Sequence, residues 1–232
     1  MNDAEQVIRA FIDRMLSVSL VLIGQTEGGK NPQGSGIIWR HEQRYFLLSV
    51  GHVLEEGDMF IETRIVSPQK ETLLIHISKP VAEYHLCQGE DFGWAELDFP
   101  KLSLSMKKDP RLNGQNVSFE CYCGPLDTEP EDGEAYGFAK WNGNELIEST
   151  KQLVRDRVFE VCMEYDGIDE HTGFYRFIPM KHKGDAYHGC SGAPIAEPTG
   201  KIVGLLQGGR EEEGVILGVP LKTFIAYLPV KE

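Results

Sequence analysis

The run Gly189-Cys190-Ser191-Gly192-Ala193-Pro194 sets a serine between two glycines, just ahead of Ile195 and an apolar segment. A serine hydroxyl is a poor nucleophile at neutral pH. It becomes useful only beside a base and a fixed site for an oxyanion. Glycines on both sides permit a backbone turn that aims two N–H groups at one point next to the hydroxyl. Gly-x-Ser-Gly also fits an ordinary tight turn, so the rest of the chain has to decide. His52 ends the apolar run Leu47-Leu48-Ser49-Val50-Gly51, which follows Gly34-Ser35-Gly36-Ile37-Ile38-Trp39 and a turn at 41–44. A histidine entering a short helical turn at the end of a hairpin is placed as a general base. Without the serine motif it would read as a strand-end histidine bonded to nearby backbone. Asp91, in Glu90-Asp91-Phe92-Gly93-Trp94, precedes another apolar strand, where a carboxylate orienting the imidazole belongs. A solvated turn would look the same there.

The chain order is His52, Asp91, Ser191, one of three unrelated orders in which this acid–base chemistry on serine is built. An α/β-hydrolase requires its histidine after the serine, and none follows Ser191; it also requires glycine where Ala193 stands. That alternative is excluded by inventory. The remaining histidines (His41, His76, His85, His171 and His182) show no metal-ligand grouping, and Cys121 and Cys123 have no second pair at a zinc spacing. Gly28-Gly29-Lys30 lacks both the spaced glycine before it and the Ser or Thr after it that a phosphate loop uses. The chemistry as read requires no cofactor and no metal.

These side chains need a frame to hold them. Short runs rich in Val, Ile, Leu and aromatics recur between Gly, Pro, Asn and Asp clusters at 18–24, 36–40, 45–50, 59–65, 72–77, 94–97, 116–123, 158–165, 174–179, 201–206 and 215–219. Many short strands separated by turns predict an all-β sandwich or barrels. No alternating strand–helix pattern points to a parallel sheet. Residues 3–17 carry Val7, Ile8, Phe11, Ile12, Met15 and Leu16 as one helical stripe, with Asp3 as N-cap, and a helix lying on its own domain is expected. A short C-terminal helix is expected over 221–228, after Pro220. In 158–165, Phe159, Val161, Met163 and Tyr165 alternate with Glu160, Cys162 and Glu164. In 117–123 the same period predicts a strand with Cys121 and Cys123 on its inward face. The acidic stretch 127–134 reads as a solvated loop, and a weak boundary falls near 107–113.

Composition closes off other classes. With 36 Asp+Glu against 23 Lys+Arg the formal charge is −13, which argues against a general nucleic-acid binder. No window approaches the ~20 apolar residues of a membrane span. The N-terminus lacks the basic patch and apolar run of a signal peptide. Five cysteines, an odd number in a chain of this length, fit a reducing setting, and a cytoplasmic protein is expected.

The sequence resembles the trypsin-like (chymotrypsin-fold) serine peptidases of the bacterial type. The resemblance is carried by Gly34-Ser35-Gly36, Ser49-Val50-Gly51-His52-Val53-Leu54, Asp91-Phe92-Gly93-Trp94, Gly189-Cys190-Ser191-Gly192-Ala193-Pro194, Gly200-Lys201-Ile202-Val203-Gly204 and the closing Gly-Val-Ile-Leu-Gly-Val-Pro at 214–220. It implies two antiparallel six-stranded barrels with the site in the cleft between them: an N-terminal helix at 1–17, a first barrel at 18–108 with His52 and Asp91, and a second at 109–232 with Ser191 and the C-terminal helix. It implies Ser191 as nucleophile, His52 as base, Asp91 as orienting carboxylate, and the N–H groups of Gly189 and Ser191 as oxyanion hole. Asp185, six residues before Ser191, stands at the spacing of the carboxylate at the base of the specificity pocket, which implies a preference for Arg or Lys. Gln207, Gly208 and Gly209 would line the pocket wall, and His188 would either touch substrate or simply cap the loop. Two departures stand out: Cys190 replaces the family's Asp or Asn before the nucleophile, and Ala193 replaces a glycine. The implied function is a serine endopeptidase acting on protein or peptide substrates, its activity restricted by sequence selectivity or by a regulatory protein partner. A non-catalytic module on the same fold, or an esterase using the same triad, are the alternatives.

Overall fold

The structure, a computed structural model, describes residues 3–26, 29–55, 59–66, 72–77, 84–87, 89–99, 119–147, 152–180, 187 and 189–229. Helix α1 (Asp3–Val18) leads into β1 (Leu20–Thr26), β2 (Gly29–His41), β3 (Arg44–Val50), the one-turn α2 (Gly51–Leu54), β4 (Met59–Val66), β5 (Thr72–Ile77), β6 (Tyr84–Cys87) and β7 (Phe92–Leu97). After these come β8 (Ala135–Ile147), β9 (Gln152–Ile168), β10 (Tyr175–Ile178), β11 (Pro194–Ala196), β12 (Ile202–Arg210), β13 (Val215–Pro220) and α3 (Lys222–Ile225).

The strands before residue 98 form a seven-stranded antiparallel sheet in the order β5-β4-β1-β2-β3-β7-β6. Those after residue 134 close into a barrel, β10-β13-β12-β11-β8-β9. The expected pair of six-stranded barrels is therefore found as one closed six-stranded barrel and one seven-stranded sheet among the described residues. The short edge strand β6 is the unforeseen member, four residues that carry too little periodicity to stand out. The expected division at 108/109 lies outside the described residues.

Strands β2 and β3 are buried on both faces, so consecutive side chains enter the core. Leu22, Ile37, Ile38, Phe46 and Leu48 are fully buried in the first sheet, and each such side chain contributes about 1.5–3 kcal/mol relative to exposure. They share one core with Phe11, Ile12, Met15 and Leu16 of α1 and with Leu205, Leu217 and Phe224 from the second half. Gly137 makes room for α1, since a Cβ there would lie 2.8 Å from the Phe11 ring. The first part of the α1 stripe, Val7 and Ile8, stays exposed. Inside the barrel, Phe138, Met163, Tyr175, Phe177, Cys190 and Ile195 form a second cluster.

Two expectations are corrected, and one strand was not foreseen. Residues 119–123 form no strand; Tyr122 alone bridges to Trp39, and Tyr122 is the buried side chain, while Cys121 is half-buried and Cys123 exposed. Its backbone pairs with Ile38 and Arg40, and that pairing turns Tyr122 inward; one step of register exchanges the two faces of an extended segment. The alternation over 158–165 breaks at a bulge, where Val161 and Cys162 together oppose Gly137 and Cys162 adopts φ 59°. Met163 therefore faces inward, but upstream of the bulge Glu160 is buried and Phe159 exposed. Strand β8 was not anticipated at all, because Gly137, Lys140, Asn142 and Gly143 interrupt its apolar pattern.

Candidate active site

His52 and Asp91 meet because β3 and β7 are paired. The register sets Ser49 opposite Gly93 and Val50 opposite Phe92, so the next residues on each side, Gly51-His52 and Asp91, emerge together. Gly51 permits that approach: a Cβ on it would sit 3.2 Å from the Asp91 carboxylate. Asp91 itself turns the chain with φ 42°, a left-handed conformation that Asp tolerates better than most residues. Its carboxylate accepts from the His52 backbone N–H (2.9 Å) and contacts His52 Nδ1 through both oxygens (3.0 and 2.9 Å). A carboxylate only accepts, so Nδ1 carries the proton and Nε2 is the basic atom of the neutral ring. Half-burial pushes the Asp91 carboxyl up, but the hydrogen bonds and charge of His52, with Gln207 adding to them, outweigh burial and hold it below the ordinary carboxylate range. Asp91 is thus ionised at neutral pH. The His52 ring is exposed.

Ser191 comes from the other half of the molecule and is tied to the first. Its carbonyl accepts the Ser35 N–H at 2.6 Å, fixing the serine loop to β2, the neighbour of the strand that delivers His52. Gly189 and Gly192 have φ 69° and 83°, so the two glycines of the motif supply the left-handed turns expected of them. Within the loop the Cys190 N–H donates to the Tyr187 carbonyl (2.9 Å), and the Gly192 N–H to the Leu206 carbonyl (2.6 Å). Among the described residues the Gly189 and Ser191 N–H groups make no backbone hydrogen bond. A Cβ on Gly192 would lie 1.9 Å from the Ser35 carbonyl oxygen. Gly192→Ala is therefore expected to lower the urea midpoint sharply: the left-handed backbone alone costs about 1–2 kcal/mol, and the backbone clash adds to it. An unchanged midpoint in urea titration would show that the Ser191 loop and β2 are not packed this tightly.

Gln207 links the two groups, a role its sequence position does not reveal. In the β12–β13 pair Leu206 opposes Gly218 and Gly208 opposes Leu217, leaving Gln207 as the extra residue of a bulge. Bulges re-aim side chains. Here Gln207 Nε2 donates to Asp91 Oδ2 (3.0 Å), while the Gln207 carbonyl accepts from Ser191 Oγ (3.1 Å). Asp91 is thus bonded to His52 and to the Gln207 side chain, and the Gln207 main chain is bonded to Ser191.

The remaining expected site residues divide into two groups. Gly208 and Gly209 continue β12 beyond Gln207, half-buried and exposed in turn, and a Cβ on Gly208 would meet nothing within 4 Å. Asp185 and His188 lie outside the described residues. Cys190, the residue before the serine, is fully buried in the barrel core, where burial pushes its thiol up to about 11. A neutral thiol facing the core is no nucleophile. The acidic turn after Arg210 is partly neutralised, because Glu213 pairs with Arg176 (2.6 Å) and Arg210 (3.1 Å), and Arg210 also donates to the buried Asp169 (2.6 Å).

No family model and no curated protein matches the chain in sequence. Among solved structures, one of a Glu endopeptidase in complex with MPD is similar at a TM-score of 0.52 and 12% identity, over 94% of this chain and 92% of that one. The Drosophila Grass clip serine protease of the Toll pathway gives 0.45 and 10%, over 93% and 71%. The fold is the trypsin-like one. Within this fold the seven-stranded sheet contributes His52 and Asp91, and the closed barrel contributes Ser191 and Gln207, so the candidate site exists only when both halves are assembled.

Proposed function

We propose that the protein is a serine endopeptidase in which Ser191, His52 and Asp91 act as a catalytic triad. The observation that carries this reading is the hydrogen-bonded connection from His52 through Asp91 and Gln207 to Ser191, with the imidazole tautomer set by the carboxylate. In the proposed reaction Ser191 Oγ attacks the scissile carbonyl carbon as His52 Nε2 takes the hydroxyl proton. The carbonyl oxygen becomes an oxyanion, held by the N–H groups of Gly189 and Ser191. Collapse breaks the C–N bond, and His52 gives its proton to the leaving amine. Water, deprotonated by His52, then attacks the acyl-enzyme ester; the acyl C–Oγ bond breaks, His52 returns the proton to Ser191 Oγ, and the carboxylic acid product leaves. Asp91 is not protonated in the cycle; it offsets the imidazolium charge.

Peptide and simple ester substrates separate this reading from an esterase: the proposal expects peptide bond cleavage, and ester turnover without any peptide turnover would overturn it. A folded wild-type protein that turns over neither would favour a non-catalytic module.

For substrate preference we propose that Asp185, six residues before Ser191 in the sequence, selects Arg or Lys, because a carboxylate favours a cationic partner. A peptide-library cleavage profile of wild type against Asp185→Ala tests this. A basic preference lost in the variant is expected; a profile that Asp185→Ala leaves unchanged would contradict it, and the library includes Glu at the cleaved position because the solved neighbour is a Glu endopeptidase. We further propose that activity is restricted by this selectivity or by a regulatory partner, so that the purified chain does not degrade denatured casein broadly.

A further inference from the structure

The least expected charge in the barrel is Lys140. It lies on β8, is only 2% exposed, and donates its ammonium to the carbonyl of Gly189 in the serine loop. A buried ammonium is costly unless it is held by polar partners. Burial pushes Lys140 down, while the Glu62 carboxylate from β4 acts in the opposite direction. The neighbouring strand β9 supplies a second anchor, Glu160, whose carboxylate accepts from the Tyr187 hydroxyl at 2.6 Å. The loop that ends in Ser191 is thus tied to the barrel floor at both Tyr187 and Gly189.

We propose that Lys140 is a positioning residue for the oxyanion hole, acting through the Gly189 carbonyl. The proposal rests on the reading of the Gly189 and Ser191 N–H groups as oxyanion donors. The Gly189–Cys190 peptide lies between the two peptides that carry those donors. Gly189 has φ 69° and no side chain, so its flanking peptides can rotate unless something holds them. The Lys140 ammonium draws the Gly189 carbonyl inward, and the Cys190 N–H of the same peptide is spent on the Tyr187 carbonyl. With both polar ends of the central peptide fixed, the N–H groups on either side keep their directions before substrate arrives. Rotation of that peptide would part a buried ammonium from its acceptor, and a charged hydrogen bond in a low-dielectric interior resists this strongly.

The test compares Lys140→Met, Lys140→Gln and Lys140→Arg with wild type, each checked by circular dichroism and thermal melting. For Lys140→Met we expect kcat on a peptide substrate to fall about 10²–10³-fold, the loss typical of one oxyanion donor, with KM within about twofold. The affinity of a peptide aldehyde, whose adduct with Ser191 places an oxyanion at the same point, should fall by the same factor. Substrate binding measured in a Ser191→Ala background should not change when Lys140→Met is added. Lys140→Arg, which keeps a buried cationic donor, should recover most of the loss. If Lys140→Met does not fold, Lys140→Gln takes its place, with at least a tenfold fall in kcat expected. A folded Met or Gln variant with unchanged kcat, or one in which KM alone moves, overturns the proposal. If wild type and Ser191→Ala are equally inactive on peptides, the serine peptidase reading itself has failed and takes this proposal with it.

Discussion

Ser191→Ala is expected to cut kcat on a peptide substrate by about 10⁶-fold while the protein stays folded, because removing the nucleophile of a triad costs about as much as removing all three members. The two halves of this expectation have separate physical causes. In the proposed reaction the side-chain oxygen is the atom that forms the acyl bond, and Cys190 beside it cannot substitute: its thiol is buried and neutral. Structurally Ser191 is cheap to truncate. Its Oγ donates one hydrogen bond, to the Gln207 carbonyl, and an ordinary hydrogen bond is worth about 0.5–1.5 kcal/mol net. The bond that joins the two halves of the molecule at this point uses the Ser191 carbonyl, which alanine retains. Melting curves of the two proteins should nearly coincide while their turnover numbers differ by orders of magnitude. A variant that kept even a few per cent of wild-type kcat would place the nucleophile elsewhere.

Asp91→Asn is expected to lower kcat by about 10⁴-fold, again with the fold intact, as loss of the correct imidazole tautomer does in such a triad. Asp91 accepts hydrogen bonds from three donors: the His52 backbone N–H, His52 Nδ1–H and Gln207 Nε2. An asparagine has one oxygen to offer them and brings an NH₂ group of its own. If that NH₂ faces Nδ1, the ring must accept there and carry its proton on Nε2, where it can no longer take one from Ser191. The ionised state matters as well, since an asparagine offers no charge to a developing imidazolium. Kinetics at neutral pH with thermal melting as control checks this, and a loss below about tenfold would mean that the carboxylate has no part in the reaction.

His52, Asp91 and Ser191 stood out as candidates because His52 and Asp91 border apolar strands, because Ser191 lies between closely spaced glycines, and because their order along the chain excluded an α/β-hydrolase. What the sequence concealed depends on pairing. Gln207 reaches Asp91 only because it is the unopposed residue of a bulge, and a bulge is a relation between two strands. Lys140 gave the opposite signal to its true position: a lysine between Ala139 and Trp141 reads as solvent-facing or as a break, so β8 went unrecognised along with its buried ammonium. Glu160 and Phe159 exchanged faces for the same kind of reason, the bulge at Val161 and Cys162 shifting the period by one. Tyr122 shows that alternation alone does not choose a face; the partner strand does.

The most direct measurement is covalent labelling with a fluorophosphonate, followed by mass spectrometry to locate the adduct. Wild type should take a single label on Ser191; Ser191→Ala should take none, and His52→Ala should react slower by several orders of magnitude. No label on folded wild type, a label on any other side chain, or equal labelling rates with and without His52 would contradict a nucleophile made by that imidazole.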